Sequence, residues 1–269
     1  LRTEPYRFGD FSVLYRGSVE GTLGKPLIAK IAAEPSMNSW LENEARVLKQ
    51  IATAGAADPL FGIRSFLPQL LETFLITAEG GKRLRVNVLT TVEGHLSITE
   101  ILSAFPNGLD PRDAAWIARR VFGQVLAASI LGVVHGAIVP DHVLIHPVTH
   151  EPIHAGWTHA VKEDAQLTHI LPRFADWYPP EVMKKKPVGQ ATDLYMAGKT
   201  VLHLFGGDVR RNTLPSHVPA TLARIILRCV ESSPTRRPDG RQALDEFTRV
   251  IRAEWGKAYR ELIIPKRSA

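Results

Sequence analysis

The chain has a single cysteine, Cys229, among 269 residues. One thiol excludes an intramolecular disulfide and any cysteine-rich zinc site, and it fits a reducing compartment better than secretion. Its mostly apolar neighbours from Ile225 to Val230 predict a buried, inert thiol. Long apolar runs are also missing: none approaches the ~20 residues that span a bilayer, so no membrane partner is expected. A strong charge of either sign is absent. Lys and Arg number 33 against 27 Asp and Glu, a net charge of +6, with a pI near 9.5. That permits an acidic partner but does not make a nucleic-acid binder. The ten histidines lack metal-ligand spacing, His142 and His146 being the nearest to it, so no metal site is assigned. There is no internal repeat and no low-complexity tract.

What remains is ordinary globular composition, 45% hydrophobic and 22% charged, with mean hydropathy −0.04. At about 150 residues per domain, the length allows one large domain or two packed lobes. The chain starts at Leu1 and reads as a cytosolic segment of something longer.

The first ninety residues read as strands with one helix inserted. Phe11–Tyr15 (FSVLY) and Leu27–Ile31 (LIAKI) are apolar runs separated by Gly17, Gly21 and Gly24, the pattern of a hairpin with a loose turn. From Ser39 to Ile51, Trp40, Leu41, Ala45, Leu48 and Ile51 recur at helical spacing. A second hairpin is predicted from Thr73–Thr77 and Leu84–Val92 around Glu79-Gly80-Gly81. Beyond Asp113 helices dominate, over Ala114–Leu131, Ala191–Phe205, Ala220–Val230 and Gln242–Trp255. Strand-like pieces at Val143–Ile145 and Pro152–Trp157 interrupt them. The expected class is α+β: a small antiparallel β lobe with one helix (about 6–89), a hinge (about 90–96), a larger helical lobe (about 97–255) and a tail over 256–269. Trp40 and Trp116 read as core, and Trp255 either packs on the large lobe or faces a partner.

This lobe order, together with short motifs in sequence over nearly the whole chain, resembles the protein kinase fold. Lys30 in LIAKI looks like the strand lysine that holds nucleotide phosphates, and Glu44 in LENEARVLKQI like its helical partner. The stretch YRFGDFSVLY stands where a glycine-rich loop would cover phosphates, but only Gly9 remains, with Arg7 and Ser12 in place of the outer glycines. Arg7 then either blocks the phosphate site or meets the phosphates as a charge; the bland reading is a plain hairpin turn. The resemblance further places Ala29 beside the nucleotide, Leu89 as gatekeeper, Thr90 and Val92 as hinge backbone, and Leu144 in the adenine site.

LGVVHGAIVPDHVLI, from Leu131 to Ile145, resembles the kinase catalytic loop, with His135, Pro140, Val143, Leu144 and Ile145 matched. Its chemistry has been removed. The base position is Ala137, the phosphate-neutralising lysine position is Val139, and the magnesium-binding asparagine position is His142. Alanine and valine neither take a proton nor neutralise charge, and imidazole suits magnesium poorly. In EPIHAGWTHAV the metal-binding aspartate position is Gly156, and neighbouring registers give Ala155 or His154, never a carboxylate. Structural hallmarks then return: Glu181 in YPPE, Asp193 in ATDLYMAG and Arg237 in SPTRRP, with His135 as a core histidine bonding backbone near Gly156. The resemblance thus implies a pseudokinase, similar to divergent bacterial and phage kinase-like proteins, binding ATP weakly without magnesium and serving another protein as scaffold or allosteric module. The competing enzyme reading is a noncanonical phosphotransferase or nucleotidyl transferase using Asp141, His142, His154 or Asp164. Lys184-Lys185-Lys186 is read as a solvated loop rather than a docking patch.

Overall fold

The computed structural model describes residues 4–18, 26–53, 67–91, 94–256 and 262–264. The fold is α+β, with a small antiparallel sheet and several helices. The chain forms two compact units, one built before Gly94 together with Gly156–Ala160, the other from Gly94–Ala155 and Val161 onward.

The first unit is a five-stranded antiparallel sheet of β1 (Arg7–Phe8), β2 (Ser12–Ser18), β3 (Pro26–Ala32), β4 (Leu70–Thr77) and β5 (Arg83–Thr90), in the spatial order β1-β2-β3-β5-β4. Both hairpins expected from sequence form, with β4 and β5 reversing at Glu79–Gly81, where Gly80 adopts a φ of 73°. Gly17, expected in the first turn, instead lies inside β2, opposite Leu27, because the strand pairing runs on to Ser18; the other glycines of that turn, Gly21 and Gly24, and the end of the second predicted run at Val92 lie outside the described residues. Register sets the faces. Leu14 pairs with Lys30 and Lys30 with Asn87, while Tyr15 pairs with Ala29 and Ala29 with Val88. Because side chains alternate along a strand, Leu14, Lys30 and Asn87 share one face and Ala29 the other. Helix α1 (Asn38–Thr53) buries Leu41, Glu44, Ala45, Val47, Leu48 and Ile51. These recur every three or four residues, so they form one stripe.

The second unit is mainly helical: α2 (Ile98–Ala104), α3 (Pro111–Ile130), α4 (Pro180–Met183), α5 (Gln190–Leu204), α6 (Ala220–Cys229) and α7 (Gly240–Trp255). Sequence periodicity missed α2, which is one of the better-signalled helix starts in the chain. Ser97 caps it and Glu100 reaches back to the Ser97 amide, a reciprocal pair that satisfies two orphan donors. Short strands complete the unit: β6 (Leu96–Ser97), β8 (Val143–Ile145) and β9 (Pro152–His154) in one small sheet, and β7 (Val133–Val134) with β10 (Val161–Lys162) in another. A core around Phe122, Met196, Phe205 and Phe247 lies between the helices, and Trp116 and Trp255 pack partly against it. Cys229 is fully buried, and burial pushes its thiol up to about 12. No described helix is long and apolar enough to cross a membrane.

Candidate functional site

The first unit contains a buried ion pair. Lys30 extends from β3, the middle strand of the sheet, and its Nζ lies 2.7 Å from Glu44 Oε1 on α1. Lys30 is 9% exposed and Glu44 2%. The second carboxylate oxygen of Glu44 accepts from Asn87 Nδ2 at 3.1 Å, and the same amide donates to the Leu41 carbonyl at 2.8 Å. Asn87 Oδ1 in turn accepts from Thr73 Oγ1 at 2.8 Å. The carboxylate is therefore fixed from two sides, and it fixes the ammonium. A lysine ammonium has three N–H donors, and among the described residues Glu44 is its one hydrogen-bond partner. The arrangement can bind an anionic oxygen with the remaining donors. Asn87 was missed in sequence, although an asparagine inside the run RLRVNVLT, at a position where strands disfavour it, was a visible signal.

The other residues that the resemblance assigns to a nucleotide site are placed as follows. Leu89 pairs with Ile28 and shares the Lys30 face. Ala29 does not: it packs with Leu27 and Val86 on the opposite face, so the residue two before Lys30 that faces the same way is Ile28. The Thr90 N–H is already given to the Gln69 carbonyl at 2.9 Å. Val92 is outside the described residues. Gly9 closes the β1–β2 turn, donating its N–H to Ser12 O at 2.8 Å. Leu144 lies in β8 of the second unit, half-buried.

The segment from Gly156 to Ala160 belongs to the first unit. Gly156 has a φ of 81°, in the left-handed region that favours glycine. Backbone conformation is thus a sufficient reason for a residue without a side chain at this point. Trp157, Thr158 and His159 form one buried helical turn, and Asn43 of α1 donates to the carbonyls of Thr158 (3.2 Å) and Ala160 (2.8 Å).

In the second unit, Asp193 on α5 organises the loop that starts at His135. Its carboxylate accepts from the backbone N–H groups of His135 (2.6 Å) and Gly136 (2.9 Å). Burial pushes the Asp193 carboxyl up to about 7 against the pull of those two donors. His135 Nε2 is 2.9 Å from the Ala155 carbonyl, next to Gly156 in sequence. Ala137 and Val139 are completely buried apolar residues. His142 is half-buried, with Nδ1 3.0 Å from the Ala137 carbonyl. A ring nitrogen at that distance from a carbonyl oxygen is its hydrogen-bond donor.

Of the remaining polar candidates, Asp141 forms an ion pair with Arg173 at 2.8 Å, and Asp164 lies in an exposed turn with a φ of 66°. The His154 ring packs edge-on against His135, 5.7 Å between centroids. Burial, with the nearby His142 adding to it, lowers the His154 pKa to about 3, so the ring is neutral at physiological pH. Among the described residues no group of three or more His, Cys, Asp or Glu side chains is placed to hold a metal ion.

Glu181 and Arg237 meet in a two-pronged pair at 2.6 and 2.9 Å. Burial pushes the Glu181 carboxyl up, but the Arg237 hydrogen bond and charge, a backbone N–H and Thr192 outweigh it and hold the group below the usual range. Lys184, Lys185 and Lys186 are exposed between α4 and α5.

No protein-family model matches this chain, and no curated protein shows significant similarity to it.

Proposed function

We propose that the chain is a protein kinase-like domain without phosphoryl-transfer activity, a pseudokinase that binds adenine nucleotide weakly and without magnesium and acts on another protein as a scaffold or allosteric module. The observation that carries this reading is a contrast. The Lys30–Glu44 pair is kept, buried and braced by Asn87, whereas Ala137 and Val139 are buried apolar residues and Gly156 offers no side chain. Phosphoryl transfer relies on positioning and charge neutralisation by a base, metal ligands and cations. Here the phosphate-holding cation remains and the rest is replaced. A sheet-based unit with one helix, followed by a mainly helical unit, agrees with the two-lobed arrangement of that fold. The Asp193 contacts to the His135–Gly136 backbone and the Glu181–Arg237 pair agree with its large lobe.

Two measurements test the proposal. Isothermal titration of ATP, with and without magnesium, is expected to show weak binding that is unchanged by the metal and abolished in Lys30→Ala. A radiolabelled ATP transfer assay with magnesium or manganese is expected to give no signal. Metal-dependent labelling that disappears in Lys30→Ala refutes the proposal in favour of a transferase. Absence of any ATP binding leaves a scaffold without a nucleotide site.

A further inference from the structure

The β1–β2 turn is held by more contacts than a hairpin needs. Phe11 is 6% exposed, and its ring lies flat on Trp40 of α1, with centroids 4.3 Å apart and planes within 5°. His159 packs against the same ring at 5.1 Å. Asp10 Oδ2 stands 3.2 Å from His159 Nε2, and the Phe11 carbonyl accepts from Ala33 N at 3.0 Å. Asn43, one helical turn beyond Trp40, holds the carbonyls on both sides of His159. Turn, helix and the 157–160 segment are thereby clasped together within the first unit.

The clasp lays the turn on the face that carries Lys30. A Cβ built on Gly9 would come 3.1 Å from Ser12 Oγ and 3.4 Å from Leu14 Cδ1. Strand alternation puts Ser12 and Leu14 on the Lys30 side of the sheet, and Leu14 is the cross-strand partner of Lys30. The Lys30 side chain is only 11% exposed.

We infer that the Gly9–Phe11 turn is an autoinhibitory latch, clasped by Phe11–Trp40 stacking and the Asp10–His159 contact, which withholds Lys30 from phosphate oxygens until it opens. This rests on the nucleotide reading of Lys30 given above. A ligand that needs the open state binds with its affinity reduced by the open fraction, so a latch open in about a tenth of molecules weakens apparent affinity about tenfold. Adenosine carries no phosphate to bring to Lys30 and is indifferent to the latch.

The test is titration of the whole chain with metal-free ATP and with adenosine, alongside amide hydrogen exchange over residues 6–14 and at Ala33. Wild type is compared with Asp10→Ala and His159→Leu. Both variants remove one partner of the contact, but His159→Leu keeps Asp10, which separates opening from simple removal of a negative group near the phosphates. Faster exchange and an ATP affinity raised about tenfold in both, with adenosine unchanged, is the expected result. A gain in Asp10→Ala alone, or faster exchange without a gain, overturns the latch. Equal ATP affinity in all three proteins refutes the latch and leaves the nucleotide reading standing; no ATP binding in any of them refutes both. Where His159→Leu does not give a folded melting transition, Trp40→Leu, which removes the stack and leaves Asp10 and His159 intact, takes its place.

Discussion

Arg237→Met is the sharpest test of what holds the second unit together. All five guanidinium N–H groups are used: two on Glu181, and one each on the carbonyls of Ala191 (2.9 Å), Glu231 (2.7 Å) and Ser232 (3.2 Å). The side chain is completely buried and lies over the Tyr195 ring at 4.7 Å. Methionine keeps the bulk and stem but abandons the Glu181 carboxylate, whose side chain is 7% exposed. Removing one partner of a buried pair costs about 3–5 kcal/mol, because the remaining charge has no compensation. The three carbonyls add to this to the extent that water does not reach them. For a protein of this size each kcal/mol moves the melting temperature by about 2–4 °C, so the expected drop is about 6–20 °C by calorimetry. Glu181→Leu combined with Arg237→Met removes the stranded charge and recovers part of the loss, but not all, since the carbonyls and Thr192 Oγ1 stay without their partners. A single variant melting within about 2 °C of wild type, or a double variant no better than Arg237→Met, refutes the reasoning. The pH dependence has a fixed sign. Glu181 is depressed in the folded state, so the stability it contributes is present above its ordinary value of 4.5 and is lost as pH falls through the lowered one.

Further expectations follow from individual groups. Asp193, raised from 3.8 to about 7, favours the folded state at low pH and loses that contribution as pH rises through 7. His154, lowered from 6.5 to about 3, does the reverse: its contribution is present above 6.5 and is lost on acidification. Between pH 4 and 6.5 the two slopes, about 1.4 kcal/mol per pH unit each, oppose one another. His154→Leu is therefore expected to gain on wild type by about that much per unit as pH falls in this window, read from urea unfolding at several pH values; parallel profiles refute it. Gly156→Asp is expected to lower stability by about 1–2 kcal/mol, because its φ of 81° is costly for a side-chain-bearing residue. It restores no metal-dependent transfer, and labelled product would count against that. Gly108→Ala is expected to prevent normal folding, because its Cβ would stand 2.2 Å from the backbone nitrogen of Gly206; a soluble variant with wild-type circular dichroism and melting would contradict the close packing.

The candidate site was unevenly legible in the sequence. Lys30 and Glu44 were paired through the motif resemblance alone, since a Lys and a Glu fourteen positions apart otherwise read as two solvated charges; the fold is what buries them together. The facing of Ala29 was readable, since a period of two places Ile28, not Ala29, beside Lys30, but the motif resemblance drew attention to the wrong neighbour. Helix α2 was missed because it is only seven residues long, too short for periodicity, though its capping pair was visible. Asn87 stood out inside its apolar strand but its partner did not, and Thr192 and Asn43 gave no pattern of their own: each of the three acts on a partner more than ten residues away through a distance that only the folded chain defines.

The sequence by itself determined the α+β class, the two hairpins and the longer helices, the lone thiol and the absence of carboxylates at Ala137 and Gly156, because these depend on residue type and spacing along the chain. Tertiary structure decided the rest. It braced Glu44 with Asn87, set the ionisation of Asp193 and His154 through burial, and folded Phe11 onto Trp40 and His159. Those effects act across space, where desolvation and hydrogen-bond geometry depend on which distant segments the fold brings into contact.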